Sequence, residues 1–403
     1  MINKVYLILE SPFSARDYKR LGIEILQRRG FEVAVWDLTK VFHPQLSLTP
    51  PDPIAFEGLR IFKNKTEVGV AIKELSTHDM IITWFAYPRF FWLYRMISKS
   101  KAYYSSIFLV TVPFNYNASN DCYARKSFIS RLRKLLSESP RELLQRIVSI
   151  KNKIFTSIPY KLLGIKPITF WFAATAVTRE VNLFPCDKTT KTEYIHVYDY
   201  DLYLEKQKEK PASCENSAVF LDVYFPFHED NDITDSTPLV TAENYYPSLC
   251  RFFDYAEKEQ NVKVAIAAHP RSHYNEHPDY FNKRTLRLGQ TIEMVRDAKF
   301  VISHNSASFN FAIMYHKPII FITTREMKRH NNLTEMIYNM AAWLGKEPIN
   351  IDEPFCIDWE KELAVNKENY DAYIETFIKM RGTEQLNSWE IVADTLTTFS
   401  QTK

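Results

Sequence analysis

Two short apolar runs constrain this chain more than any other feature. Val264–Ala268 stops at His269-Pro270-Arg271, and Phe300–Ser303 stops at His304-Asn305-Ser306-Ala307-Ser308. Runs this short and this apolar read as strands covered on both faces, as in a parallel sheet. Whatever follows such a strand lies at its carboxyl end, where open α/β sheets bind ligands. The expectation is therefore a cradle for a phosphate-bearing ligand, built on the tips of two adjacent strands from His269, Arg271, His304, Ser306 and Ser308.

Each part of that cradle also has a plainer use. Pro270 lacks a backbone donor and ends the strand, which fixes where its neighbours point. His269 and Arg271 then suit a phosphate, Arg with a two-pronged contact, although a histidine here can equally bond a nearby backbone group. A serine opening a helix is first of all an N-cap. Spare N–H groups and hydroxyls at that same place also accommodate an anion.

The remainder of the chain repeats the strand-and-helix alternation. Val5–Leu9, Phe31–Trp36, Met80–Trp84 and Ile107–Val112 read as strands, with helices over Ser14–Arg29 and Ala86–Ile97 and a last strand at Glu193–Val197. Lys206–Asn216 is polar, charged and Pro-containing, and reads as a linker. Beyond it the alternation restarts with Ala218–Val223, Ala242–Glu259, Val262–Ala268, Thr291–Ala298, Phe300–Ser303, Ser308–Tyr315 and Pro318–Ile322. The expected architecture is α/β: two Rossmann-like doubly wound domains, over 1–210 and 211–365, facing each other across a cleft. The stretch 366–403 reads as C-terminal helices, expected to pack back on the N-terminal domain.

Composition excludes several functions. With 403 residues, 46% hydrophobic and 25% charged, the chain is long enough for two folded domains. Its net charge of +3 makes no case for nucleic acid. Only 8 glycines occur, and neither a GxGxxG nor a Walker loop is among them. A bound phosphate must then be held largely by side chains. The five cysteines follow no CxxC or framework spacing and read as reduced thiols of a cytoplasmic protein. The N-terminal residues do not have the form of a signal peptide, and no run approaches the roughly twenty apolar residues of a membrane span.

The segment 123–166 breaks the alternation. It holds eleven Lys and Arg against Glu138 and Glu142, with Leu and Ile recurring at helical spacing. Such a basic amphipathic segment can lie on an anionic membrane surface. It can equally be a solvated basic face whose apolar stripe packs on the sheet.

A strand ending in His269-Pro270, a strand ending in the Ser306–Ser308 turn, then a helix and Lys317-Pro318-Ile319-Ile320-Phe321 resemble bacterial GT-B glycosyltransferases of capsule and lipopolysaccharide assembly. The likeness covers roughly 217–325. It is nearest to CMP-dependent sialyl and Kdo transferases and more distant from the CDP-glycerol polymerases of wall teichoic acid. The resemblance implies a GT-B fold and transfer of an acidic sugar from a CMP-activated donor to a glycan or lipid-linked glycan acceptor. It also implies that His269, Ser306 and Ser308 contact the nucleotide. Other nucleotide donors (UDP- or GDP-sugars, CDP-glycerol), or a non-catalytic binding protein of the same fold, are the alternatives. The acidic pair followed by Gly that supplies the base in such sialyltransferases does not occur here.

Glycosyl transfer still needs a carboxylate as base or nucleophile. Asp222, ending the run Ala218–Leu221, is the first candidate, followed by His228, Glu229 and Asp230 on the next loop. Asp199 and Asp201 come second, at the end of the last strand of the first half or in a turn. Glu10, Ser14 and Arg16 after the first strand are weaker candidates, for acceptor binding. His269, Asp222 and His228 follow no metal-ligand spacing, and neither a metal nor a cofactor is expected.

Overall fold

The computed structural model describes residues 1–45, 52–85, 90–111, 113, 158–179, 184–209, 216–228, 231 and 237–401. The chain divides into two compact units. The first comprises Met1–Phe108, Asn115–Tyr194 and Trp389–Lys403, the second Leu109–Phe114 and Ile195–Ser388. The polar stretch 206–216 thus falls inside the span of the second unit, not at its start. The basic segment 123–166 lies largely outside the described residues; of its cations Lys161 and Lys166 are described, and Lys161 pairs with Asp187 at 2.6 Å.

The first unit is a seven-stranded sheet, all of its pairings parallel, in the order β3-β2-β1-β4-β5-β6-β7. Its strands are β1 (Lys4–Leu9), β2 (Glu32–Asp37), β3 (Leu59–Ile61), β4 (Asp79–Thr83), β5 (Tyr103–Phe108), β6 (Phe170–Ala173) and β7 (Lys191–Tyr194). Strand β5 lies further toward the N-terminus than the apolar run Ile107–Val112 implies. Ser105 and Ser106 are fully buried within it, because the middle of a covered sheet accepts small polar residues that periodicity scores as surface. The helix expected at Ala86 is Phe91–Lys99 among the described residues.

The second unit is a six-stranded sheet, again with every pairing parallel, in the order β10-β9-β8-β11-β12-β13. These are β8 (Ser217–Leu221), β9 (Lys263–Ala268), β10 (Leu286–Leu288), β11 (Phe300–Ser303), β12 (Ile319–Thr323) and β13 (Ile349–Asn350). Helix Ala242–Gln260 packs one face on this sheet. Tyr245, Leu249, Phe252, Phe253 and Ala256 recur at helical spacing and are buried. With Phe220, Ile266, Ile302 and Ile320 the first four belong to one continuous core, fixing the height at which the strands end.

Asp199 and Asp201 do not end a strand. Both stand in the first turn of helix Tyr198–Lys206, where carboxylates complement the exposed N–H groups. Asp201 accepts from the Ser388 backbone N–H at 2.7 Å, and burial raises its carboxyl to about 7. His196, 3.9 Å away, is lowered by burial to about 4. Both shifts favour the neutral forms, so this contact is not an ion pair near neutrality.

Candidate functional site

Strand order reverses at β8 in the second sheet. The chain adds β9 and β10 on one side, then returns to place β11 on the other. The carboxyl edge at such a reversal is where open α/β sheets leave a crevice for ligands. Leu221 is in register with Ala267 of β9 and with Ser303 of β11, so the three tips end at one level. The two motif-bearing strands are therefore not adjacent, because β8 with Asp222 at its tip lies between them. At the usual strand spacing this sets the β9 and β11 tips about 10 Å apart.

On the β9 side three groups converge. The His228 and His269 rings lie 4.8 Å apart, and the Arg271 guanidinium reaches within 3.5 Å of His228 Nε2. His269 Nδ1 accepts the Arg271 backbone N–H at 3.3 Å. An accepting Nδ1 places the neutral ring's proton on Nε2. His269 and Arg271 are half-buried.

Asp222 is only 3% exposed. Its Oδ1 accepts from Tyr224 N at 2.9 Å. Its Oδ2 accepts from His269 N at 3.2 Å and from the Tyr274 hydroxyl at 3.0 Å. Burial raises its carboxyl to about 6 against these bonds. A carboxylate so enclosed is poorly placed to attack a sugar or to take a proton from an acceptor. It instead ties the tip of β8 to the turn after β9. Tyr224 adopts a left-handed backbone, φ +57°, to close this tie.

On the β11 side the expectation divides. His304 is fully buried. Its Nδ1 donates to the Ile322 carbonyl at 2.7 Å and its Nε2 accepts from the Tyr245 hydroxyl at 3.0 Å. Burial lowers its pKa to about 4. With both nitrogens engaged inside the core, His304 has no donor for a phosphate and is a core histidine. The expected spare N–H groups are also in use: Phe309, Asn310 and Phe311 donate to the carbonyls of Ser306, Ala307 and Ser308. Ser308 occupies the N-cap position of helix Phe309–Met314 without a side-chain cap bond. The half-buried Ser306 and Ser308 are what this turn presents. Behind them the Ser303 Oγ, Asn305 Oδ1 and Thr323 Oγ1 atoms are buried without a protein hydrogen-bond partner.

The weaker candidates lie at the carboxyl end of β1 in the first unit. Ser14 caps helix Ala15–Arg20, bonded to Asp17 through both its hydroxyl and the Asp17 N–H. Glu10 is half-buried, and Arg16 is exposed with its backbone N–H bonded to Asp52. Tyr274 was missed by the sequence reading. It opens the single 3-10 turn Tyr274–Glu276, too short to show a period, and only the fold brings its hydroxyl to Asp222. Glu229 and Asp230 lie outside the described residues. Among the described residues no cluster of His, Cys, Asp and Glu has the makings of a metal site, and no helix is long and apolar enough to cross a membrane.

Two doubly wound parallel sheets in succession, each with its reversal at the first strand, define the GT-B fold class. Among solved structures, the wall teichoic acid polymerase TagF superposes over 98% of this chain and 88% of its own, with a TM-score of 0.54 and 11% identity. A putative UDP-N-acetylglucosamine 2-epimerase from Listeria monocytogenes follows at 0.49 and 12%, covering 100% and 98% of the two chains. The calicheamicin glycosyltransferase CalG4 gives 0.48 and 11%, covering 99% and 98%. At such identities the likeness is one of fold. No protein-family model matches the chain, and no curated protein resembles it in sequence.

Proposed function

We propose that the chain is a glycosyltransferase whose second unit holds a nucleotide-activated donor by its phosphate. The observation that carries this reading is the convergence of His228, His269 and Arg271 at the strand-order reversal, with the Ser306 and Ser308 turn on the same edge. Arg271 and the Nε2–H of His269 supply donors to the leaving phosphate, and the serine hydroxyls supply donors from the opposite side. Neutralising that charge is the larger part of what departure of a nucleotide requires, and side chains provide it here in a glycine-poor chain. Asp222 acts behind them by holding the His269 turn. The preferred donor is a CMP-linked acidic sugar, Kdo or a nonulosonate, as the His-Pro and Ser-rich turn motifs imply. The acceptor is a surface glycan, with Glu10 and Arg16 at the β1 tip proposed for its side.

A thermal-shift panel of CMP, CDP, UDP and GDP tests this reading. Stabilisation by a cytidine nucleotide above the uridine and guanosine ones is expected. A protein indifferent to all four has no donor site, and the transfer reading fails.

A further inference from the structure

The turn after β9 that carries His269 and Arg271 is fastened at several points, and their chemistry differs. Downstream, Phe227 stacks on His277 at 4.1 Å, Tyr246 stacks on Tyr280 at 4.2 Å, and His277 Nε2 meets the Tyr224 hydroxyl at 2.8 Å. These contacts hold the base of the loop. Near its tip the fastening is polar and runs through one carboxylate oxygen. Asp222 Oδ2 receives both the His269 N–H and the Tyr274 hydroxyl, and Tyr274 lies within 3.2 Å of the Tyr246 hydroxyl. Because Tyr274 donates to Asp222, its own oxygen is left to accept from Tyr246. A chain of donors thus ends on the carboxylate that holds the backbone of His269.

We infer that Tyr274 is a positioning residue of the donor site, which, through Asp222, sets the backbone of His269 and so the aim of His269 and Arg271 at the donor phosphate. The inference rests on the transferase reading for what the site binds, and on the hydrogen bonds alone for the tie itself. Removing the Tyr274 hydroxyl leaves Asp222 Oδ2 with one donor where there were two and frees the carboxylate to turn. The aromatic ring and its contacts with Tyr224 and Phe281 stay in place.

The test is Tyr274→Phe in the full chain, read in two ways. Hydrogen exchange of the ligand-free protein reports the tie: the His269 amide should exchange about fivefold faster or more, with the core strands unchanged. Binding reports its purpose: CMP should weaken about five- to tenfold while cytidine, which has no phosphate, binds as to wild type. Asp222→Asn keeps the shape but sets an amide donor against incoming donors, and it should show the same split. Unchanged exchange at His269 overturns the tie. Equal weakening of CMP and cytidine, or of neither, overturns the positioning role. A wild-type protein that binds no CMP sinks the transferase reading instead, and the exchange measurement then decides the tie alone.

Discussion

His269 and His304 both end a strand of the second sheet, yet burial gives them opposite characters. His269 keeps one nitrogen on its own turn and the other proton-bearing. His304 is enclosed, with both nitrogens spent on Tyr245 and Ile322. From sequence the two looked equivalent, since each is a His after an apolar run. The difference arises from the long helix over β11, whose Tyr245 seals His304 from above. A testable sign follows. His304 is lowered to about 4, so it contributes stability that is present above the ordinary histidine value near 6.5 and is lost as pH falls through about 4. Over that window the loss is about 3 kcal/mol from this group alone. In an NMR titration its ring resonances should stay flat from pH 8 to 5. A midpoint near 6.5 would mean that the ring is open to water.

At the scale of elements, the C-terminal helix Ser388–Gln401 seats a tryptophan in the first unit, beside ion pairs of Glu390 and Asp394 with Arg28 and Arg29 and the packing of Phe399 on Tyr103 and Phe170. Trp389 is buried and donates its indole N–H to the Arg20 carbonyl at 2.8 Å. Its ring lies against Gly22, which caps helix Ile23–Arg28 with φ +55°. A Cβ at Gly22 would come within 2.1 Å of the indole, in a backbone region that side chains avoid. Gly22→Ala should therefore cost about 2–4 kcal/mol of stability, measured by chemical denaturation. A loss under about 1 kcal/mol would show that the helix is not seated on Gly22. The sequence marks this tail as helical by its apolar period, but a contact spanning so much chain leaves no local trace. Strands were legible where apolar runs were continuous, as in β1, β8, β9, β11 and β12. β3, β10 and β13, short or polar, were lost because their partners supply what their own residues do not, and the apolar β6 was lost just after the basic segment that breaks the alternation.

At the scale of the whole molecule, the same winding occurs twice: each sheet begins in the middle, builds one flank, then crosses to the other. That alternation was legible from the order of apolar runs, and with it the edge on which the motifs fall. The order of strands across each sheet was not, so β8 and Asp222 went unplaced between the two motifs, and the sequence offered Asp222 as base or nucleophile with no sign of its bonds to the His269 N–H and the Tyr274 hydroxyl. On the proposed function, His269 and Arg271 grip the phosphate of an activated donor. Calorimetric titration of CMP into wild type, His269→Ala and Arg271→Ala measures this grip. A charge-assisted hydrogen bond is worth about 1.5–3 kcal/mol, so each variant should bind CMP about 10- to 150-fold more weakly with the fold intact. Wild-type affinity in both variants would contradict the account.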